Sequence, residues 1–243
     1  MQGSVPVQLG KNCAIDAGVL LGYRTGRPIE QKPVVIGDNA QIRAGSVIYS
    51  SVEIGNGFET GHGVIIREGN RIGDDCAIWN HTTVDYECVI GSRVKIHCNV
   101  YVAQYTTIED DVFLAPGVSI ANDPHPLCTK CMQGPTIKSG ARIGVGAILL
   151  PHIVIGENAL VGAGAVVTKD VPPRAVVVGS PARVVRHVDD LECQFEIVKP
   201  YVDGLDVRRR PEWTTVAALA RPVMRPASYE RPNLSKTPAR KEK

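Results

Sequence analysis

The sequence predicts an all-β solenoid with one loop thrown out of its wall and a C-terminal extension. Three observations carry this. Every sixth residue from Ile36 reads Ile36, Ile42, Ile48, Ile54, Thr60, Ile66, Ile72, Ile78, Val84, Ile90, Ile96, Val102, Ile108, Leu114 and Ile120, so fourteen of fifteen places hold a branched aliphatic. Four places after these comes a second, smaller inward residue, as in Ala40, Ser46, Val64, Cys76, Thr82, Val94, Val112, Ala141, Ala147, Ala159 and Ala165. Aromatic residues are only 5% of the 243, while Gly numbers 24, so the interior is built from Ile, Val, Leu and Ala, which suits a narrow, repetitive core. A helix would carry a period of six around drifting faces, and a simple strand demands alternation at two; stacked coils satisfy it.

A weaker start of the same pattern lies at Leu9, Ile15 and Leu21. The long run ends at Ile120, and the register breaks over Ala121 to Thr136, the segment A-N-D-P-H-P-L-C-T-K-C-M-Q-G-P-T. It resumes with Ile137, Ile143, Leu149, Ile155, Val161 and Val167. An excursion of this length in a compact domain is commonly functional. Gly follows many of the periodic aliphatics, at Gly37, Gly55, Gly73, Gly91, Gly144, Gly156 and Gly162, where its conformational freedom is expected to serve a tight corner. The solenoid domain is expected over residues 1–186 and an extension over 187–243. His187 to Val202 is expected to hold a short helix, and Arg221 to Lys243, with seven Lys or Arg, two Glu and four Pro, reads as a basic, solvated tail.

The formal net charge of +2 excludes a strongly basic surface, so neither nucleic acid nor an anionic membrane is the expected partner. The first ten residues lack a basic segment followed by an apolar run, and the chain has no stretch of about 18 apolar residues, so a cytoplasmic location is expected. Seven scattered cysteines are expected to be reduced, Cys76 and Cys88 at inward places acting as small core residues.

Stacking the sequence every 18 residues turns it into columns, because neighbouring coils lie about 4.8 Å apart. His81 then shares a column with Asn99, His62 with Asn80, and Arg67 with Asp85. His81, Asp85, Asn99 and His125 all fall close to the protruding loop and are the candidate catalytic groups, whereas His62, His97 and His152 are expected to be structural or interfacial. His125, Cys128 and Cys131 form H-x2-C-x2-C, which could supply three zinc ligands; a second Cys pair is missing, so no metal is expected and Cys128 and Cys131 read instead as part of a packed or disulfide-capable loop.

Residues Ile36 to Val185 resemble the hexapeptide-repeat acyltransferases. The resemblance implies three short strands per 18-residue coil, a triangular prism and a left-handed crossover, where ordinary parallel connections would be right-handed. The segments A-N-D-P-H-P, R-I-G-V-G-A-I-L-L-P-H-I-V-I-G-E-N-A-L-V-G-A-G-A-V-V-T-K-D-V-P and G-S-P-A-R-V-V look like the end of galactoside and maltose O-acetyltransferases. F-E-T-G-H-G-V-I-I-R-E and N-V-Y-V-A-Q-Y-T-T-I-E-D-D-V-F-L-A-P-G-V more closely resemble N-acyltransferases acting on nucleotide-linked amino sugars. The implied activity is transfer of an acyl group, acetyl above all, from CoA to the amino group of a nucleotide-linked amino sugar, with sugar O-acetylation as the alternative.

Acyl transfer from a thioester requires a base for the acceptor proton, a donor for the oxyanion and a groove for the pantetheine arm. The resemblance matches His125 to the catalytic histidine of the O-acetyltransferases. In the N-acyltransferases a carboxylate can take that role, which makes Asp85 the alternative. It also implies that Val145 and Ala163 line the thioester groove, that Thr168 and Lys169 approach the nucleotide end of CoA, and that Arg183 and Arg186 meet its phosphates. The family assembles as trimers with sites between subunits, so a homotrimer is expected. Two readings of other classes stand beside this one. A γ-type carbonic anhydrase shares the prism but needs three converging histidines, and a non-catalytic trimeric scaffold would have no use for the V-G-A-G-A-V-V-T-K-D segment.

Overall fold

A computed structural model describes residues 4–192 of the chain. Among them, three sheets of eight, ten and eight short strands close into the wall of a left-handed parallel β-helix. One coil shows the plan: Glu53–Ile54 lies in sheet 1, Glu59–Thr60 in sheet 2 and Ile65–Ile66 in sheet 3, and Arg71–Ile72 returns to sheet 1 beside Glu53–Ile54. The sixth-residue places are the inward residues of these strands. From Ile36 to Val167 each is at most 7% exposed, and most pair with their counterparts one coil on, as in Ile36 to Ile54 and Ile72 to Ile90. The second inward set, from Ala40 to Ala165, is buried as well and completes the core.

The weaker start belongs to the solenoid. Leu9 pairs with Ile36, Ile15 with Ile42 and Leu21 with Ile48. Pairing spans 27 residues here instead of 18, so nine extra residues leave the wall near residues 24–33. The second excursion is larger: Ile108 pairs with Ile137, 29 residues on, an insertion of eleven. Thr136, expected in that loop, is already the first residue of strand Thr136–Ile137.

The reason for the glycines after the aliphatics differs from the expected one. Positive φ occurs two residues further along each corner, at Gly57 (φ 66), His81 (φ 57), Asn99 (φ 57) and Asp111 (φ 59), whereas Gly55 and Gly91 are outside the left-handed region. They face the next coil directly. A Cβ on Gly55 would lie 2.8 Å from the Gly73 carbonyl carbon, and one on Gly91 would lie 2.8 Å from the Asp110 nitrogen. Close approach between coils, not turn geometry, selects glycine there.

Polar side chains bind the corners together. At the edge between sheets 1 and 2, each side chain accepts a backbone N–H from the coil before it: Asn56 from Asp38 (2.8 Å), Asp74 from Asn56 (2.6 Å), Ser92 from Asp74 (3.1 Å) and Asp110 from Ser92 (2.8 Å). The C-terminal end is covered by strand Ala175–Val178 and the antiparallel strand Arg183–His187. A short 3-10 turn, Val188–Asp190, follows under a His187 cap, and most of the segment His187 to Val202, expected to hold a helix, lies outside the described residues. The rest of the expected extension, including the basic tail, lies outside the described residues. No helix among the described residues is long and apolar enough to cross a membrane.

Two substitutions test this packing. Ile96→Ala, at a fully buried place, is expected to cost about 2–4 kcal/mol by leaving a cavity. Gly91→Ala is expected to cost about 1–3 kcal/mol by forcing two coils apart. Urea midpoints of the two variants measure both; native-like stability of Gly91→Ala would refute the close-approach account.

Candidate active site

The edge between sheets 3 and 1 carries a polar network unlike the simple ladders elsewhere. Asp85 leaves strand Thr83–Val84 at this corner and is only 7% exposed. Its Oδ1 accepts the Tyr86 backbone N–H (2.8 Å) and faces Arg67 Nη1 (3.5 Å). Its Oδ2 accepts the Tyr101 hydroxyl (2.9 Å) and Gln104 Nε2 (2.6 Å). Asn122 Nδ2 donates in turn to Gln104 Oε1 (2.6 Å). Burial, and then the Asp85 carboxylate, push the Tyr101 phenol up to about 12, so it stays protonated as a donor. From below, the buried Asn70 amide donates to the carbonyls of Arg67 and Asp85 (2.8 Å each), fixing the corner backbone.

Toward the N-terminus the same network closes over Glu68, which has no exposed surface. Arg67 Nε donates to Glu68 Oε2 (2.9 Å), and Thr25 Oγ1 to Glu68 Oε1 (2.9 Å). Arg27, from the first excursion, reaches Glu68 at 3.4 Å and Glu87 at 3.0 Å while lying 3.7 Å above the Tyr86 ring. Burial alone would raise the Glu68 carboxyl, but the hydrogen bonds from Arg67 and Thr25 and the Arg67 charge hold it below the usual carboxylate range.

The eleven-residue excursion leaves from this same edge through Asn122. Asp123 organises it, its carboxylate accepting the N–H groups of His125 (2.8 Å) and Cys128 (2.9 Å). Its base is closed by Gln133 N–H on the Asn122 carbonyl (2.7 Å). The His125 side chain is presented to solvent. Cys76 and Cys88 are buried core residues, and burial raises their thiols to about 11 and about 12. Among the described residues, no three His, Cys, Asp or Glu side chains converge as a metal site.

Two of the four candidate catalytic residues belong to the same edge of the prism. Asp85 and the His125 loop share the edge between sheets 3 and 1. His81 and Asn99 lie across sheet 3, on the edge between sheets 2 and 3, exposed at left-handed corner positions where Asn and His are favoured for their backbone tolerance. Val145 and Ala163 are exposed on that second edge, Val145 beginning two coils beyond Asn99. Thr168 and Lys169 follow strand Val166–Val167. Ala182 N–H bonds the Val166 carbonyl (2.8 Å), which brings exposed Arg183 beside that strand, and Arg186 lies further along its own. Glu68, Arg27, Tyr101, Gln104 and Asn122 were not among the expected residues. Glu68, Tyr86, Gln104 and Asn122 nevertheless form one column at intervals of 18, a pattern present in the sequence.

The family described as bacterial transferase hexapeptide (six repeats) matches residues 87–122 and 134–169, and the hexapeptide repeat of succinyl-transferase matches 3–23 and 19–50. The chain is 36% identical over 120 residues to galactoside O-acetyltransferase of Escherichia coli, covering 43% of this chain and 59% of that protein. It is 33% identical over 124 residues to the bifunctional protein GlmU of Rubrobacter xylanophilus, covering 51% of this chain and 24% of that one. Less than two thirds of each relative is therefore spanned. The solved UDP-N-acetylglucosamine acyltransferase of Bacteroides fragilis superposes with a TM-score of 0.63 over 74% of this chain and 70% of its own, at 20% identity, and shares the fold. The chain is a left-handed β-helix protein built on the hexapeptide repeat, and curated proteins to which it is similar are acetyltransferases.

Protonation of Glu68 is easier in the unfolded chain than in the folded one. The stability it contributes is therefore present above the ordinary carboxylate pKa of roughly 4.3 and is lost as pH falls through the lower folded value. Glu68→Gln is expected to cost about 3 kcal/mol at pH 7 by leaving the guanidiniums without their partner. The gap to the parent should narrow toward pH 3, which urea midpoints at the two pH values would measure.

Proposed function

We propose that this chain is an acyl-CoA-dependent acyltransferase that moves an acetyl group to the amino group of a nucleotide-linked amino sugar. The observation that carries the reading is His125, an exposed imidazole held by the Asp123 turn on a loop rooted beside the buried Asp85 network, within a hexapeptide-repeat solenoid. His125 takes the proton from the attacking group, the role of a general base. Asp85 has both carboxylate oxygens engaged by donors, which fits an anchor that keeps Tyr101, Gln104 and Asn122, and through Asn122 the loop, in register.

The coenzyme lies outside the prism along the edge between sheets 2 and 3. Small Val145 and Ala163 leave the backbone open to the pantetheine arm, Arg183 and Arg186 neutralise phosphate, and the nucleotide end crosses the last coil of sheet 3 to meet Thr168 and Lys169, which follow strand Val166–Val167 at the edge between sheets 3 and 1. Asn99 and His81, further down that edge, face the acyl end and supply donors for the oxyanion. In one chain the His125 edge and the coenzyme edge lie on opposite sides of sheet 3, a face of six residues, on the order of 15–20 Å at the rise of an extended strand. A second copy presenting its His125 edge to this groove completes the site, and a closed ring of three copies makes three such sites. The match to galactoside O-acetyltransferase favours sugar O-acetylation as the second reading.

Incubating the protein with acetyl-CoA and a panel of amino and hydroxy sugars, free or nucleotide-linked, while following thiol release, decides between the readings. His125→Ala is expected to lower kcat by about 10²–10⁴ with little change in KM; full turnover in this variant would remove the assigned base. Co-assembling His125→Ala chains with Ala163→Trp chains tests the shared site. Random mixing should restore about a quarter of the parental activity if each site joins two subunits, and none if each chain holds its own.

A further inference from the structure

The loop that bears His125 also holds a pair of groups that acyl transfer does not use. Cys128 and Cys131 are free thiols, half-buried and exposed respectively. Their sulfurs lie 3.2 Å apart. Two successive turns create this approach: Cys128 N–H donates to the His125 carbonyl (2.6 Å) and Cys131 N–H to the Cys128 carbonyl (3.2 Å). Asp123 holds the first turn through its bond to Cys128 N–H. The second is held from the solenoid wall, where His152 Nε2 meets the Cys131 carbonyl at 2.9 Å. The two thiols are thus held together by contacts on both sides.

The chemistry of the pair is unequal. Contact with the Cys131 sulfur holds the Cys128 thiol below its ordinary range, while Cys131 is raised by the same contact. A thiolate that is stabilised by donors and reachable from solvent is the attacking partner in disulfide exchange, with a neighbouring thiol to resolve the intermediate. Buried Cys76 and Cys88, with raised thiols, have the opposite character.

We propose that Cys128 and Cys131 form a redox-responsive dithiol that closes to an intrachain disulfide and staples the loop carrying His125. The oxidant is a small-molecule disulfide. The Cys128 thiolate attacks one of its sulfurs, forming a mixed disulfide and expelling one thiolate. Cys131, giving up its proton, then attacks the Cys128 sulfur and expels the second. Two electrons pass from the protein dithiol to the oxidant, and the two protons end on the two released thiols. The sulfurs need only close from 3.2 Å to the roughly 2.05 Å of a bond. Closure links the loop tip next to His125 to the arm anchored on His152, and so narrows the positions His125 can take. The effect on turnover rests on the acyltransferase reading; the disulfide does not.

The test uses the full chain equilibrated in mixtures of glutathione and glutathione disulfide, then acid-quenched and alkylated. The expected result is a loss of 2 Da in the loop peptide that blocks alkylation of both cysteines, is absent in Cys128→Ser and Cys131→Ser, and is reversed by a dithiol reductant. Amide exchange across residues 123–131 should slow roughly tenfold in the oxidised form. Turnover with a competent acceptor should differ at least threefold between the two forms, and in neither serine variant. Full alkylation in glutathione disulfide, or a persistent glutathione adduct, overturns the dithiol. A 2 Da loss with unchanged exchange overturns the staple, and equal turnover of both forms overturns its link to catalysis. If no acceptor supports turnover at all, the acyltransferase reading fails while mass and exchange still decide the disulfide.

Discussion

The structure depends on the vertical backbone pairing that lays each coil on the next. Bonds such as Gly55 N–H to the Ile72 carbonyl and Gly73 N–H to the Ile90 carbonyl, each 2.9 Å, repeat with the period of the coil and, outside the excursions, hold residues in columns at intervals of 18. At a spacing of about 4.8 Å there is no room for a side chain to be replaced by a larger one without disturbing both neighbours. That constraint accounts for Ile, Val and Leu on the strands, mostly Ala, Cys, Ser, Thr and Val at the second inward place, with Phe58 the large exception, and the glycines pressed against the following coil.

The same stacking turns polar residues into columns, and the columns serve different purposes. At the edge between sheets 1 and 2, Asp38, Asn56, Asp74, Ser92 and Asp110 satisfy backbone donors one coil at a time, and each bond is local. At the edge between sheets 3 and 1, Glu68 and Asp85 are instead buried carboxylates bound by side chains from several coils and from the first excursion. Taking charge out of water requires this many partners. The rigidity it confers is well placed, because the loop with His125 leaves through the last member of that network.

Departures from the 18-residue count are where this protein differs from an ideal prism. The nine extra residues before Val34 carry Thr25 and Arg27 onto Glu68, and the eleven between Ile120 and Thr136 carry Asp123, His125, Cys128 and Cys131 outward. An extended wall offers flat faces and shallow edges, so a reactive group that must meet a substrate in a partly enclosed place has to come from such an excursion or from a neighbouring copy.

The six-residue period alone determined the wall, the inward residues from Ile36 to Val167, the burial of Cys76 and Cys88, and the break at Ala121, because each depends on side-chain spacing along an extended chain. Even the weak start at Leu9 was legible by the same count. Tertiary structure decided what spacing cannot encode. It separated His81 and Asn99 from Asp85 by a face of the prism, since His81 precedes strand Thr83–Val84 and Asp85 follows it, and each strand ends at a different edge. It moved the reason for Gly55 and Gly91 from turn geometry to contact with the next coil. It gathered Arg27, Glu68, Tyr101 and Gln104 around one corner, because a buried carboxylate draws donors from wherever the fold brings them within about 3 Å, regardless of their distance in sequence.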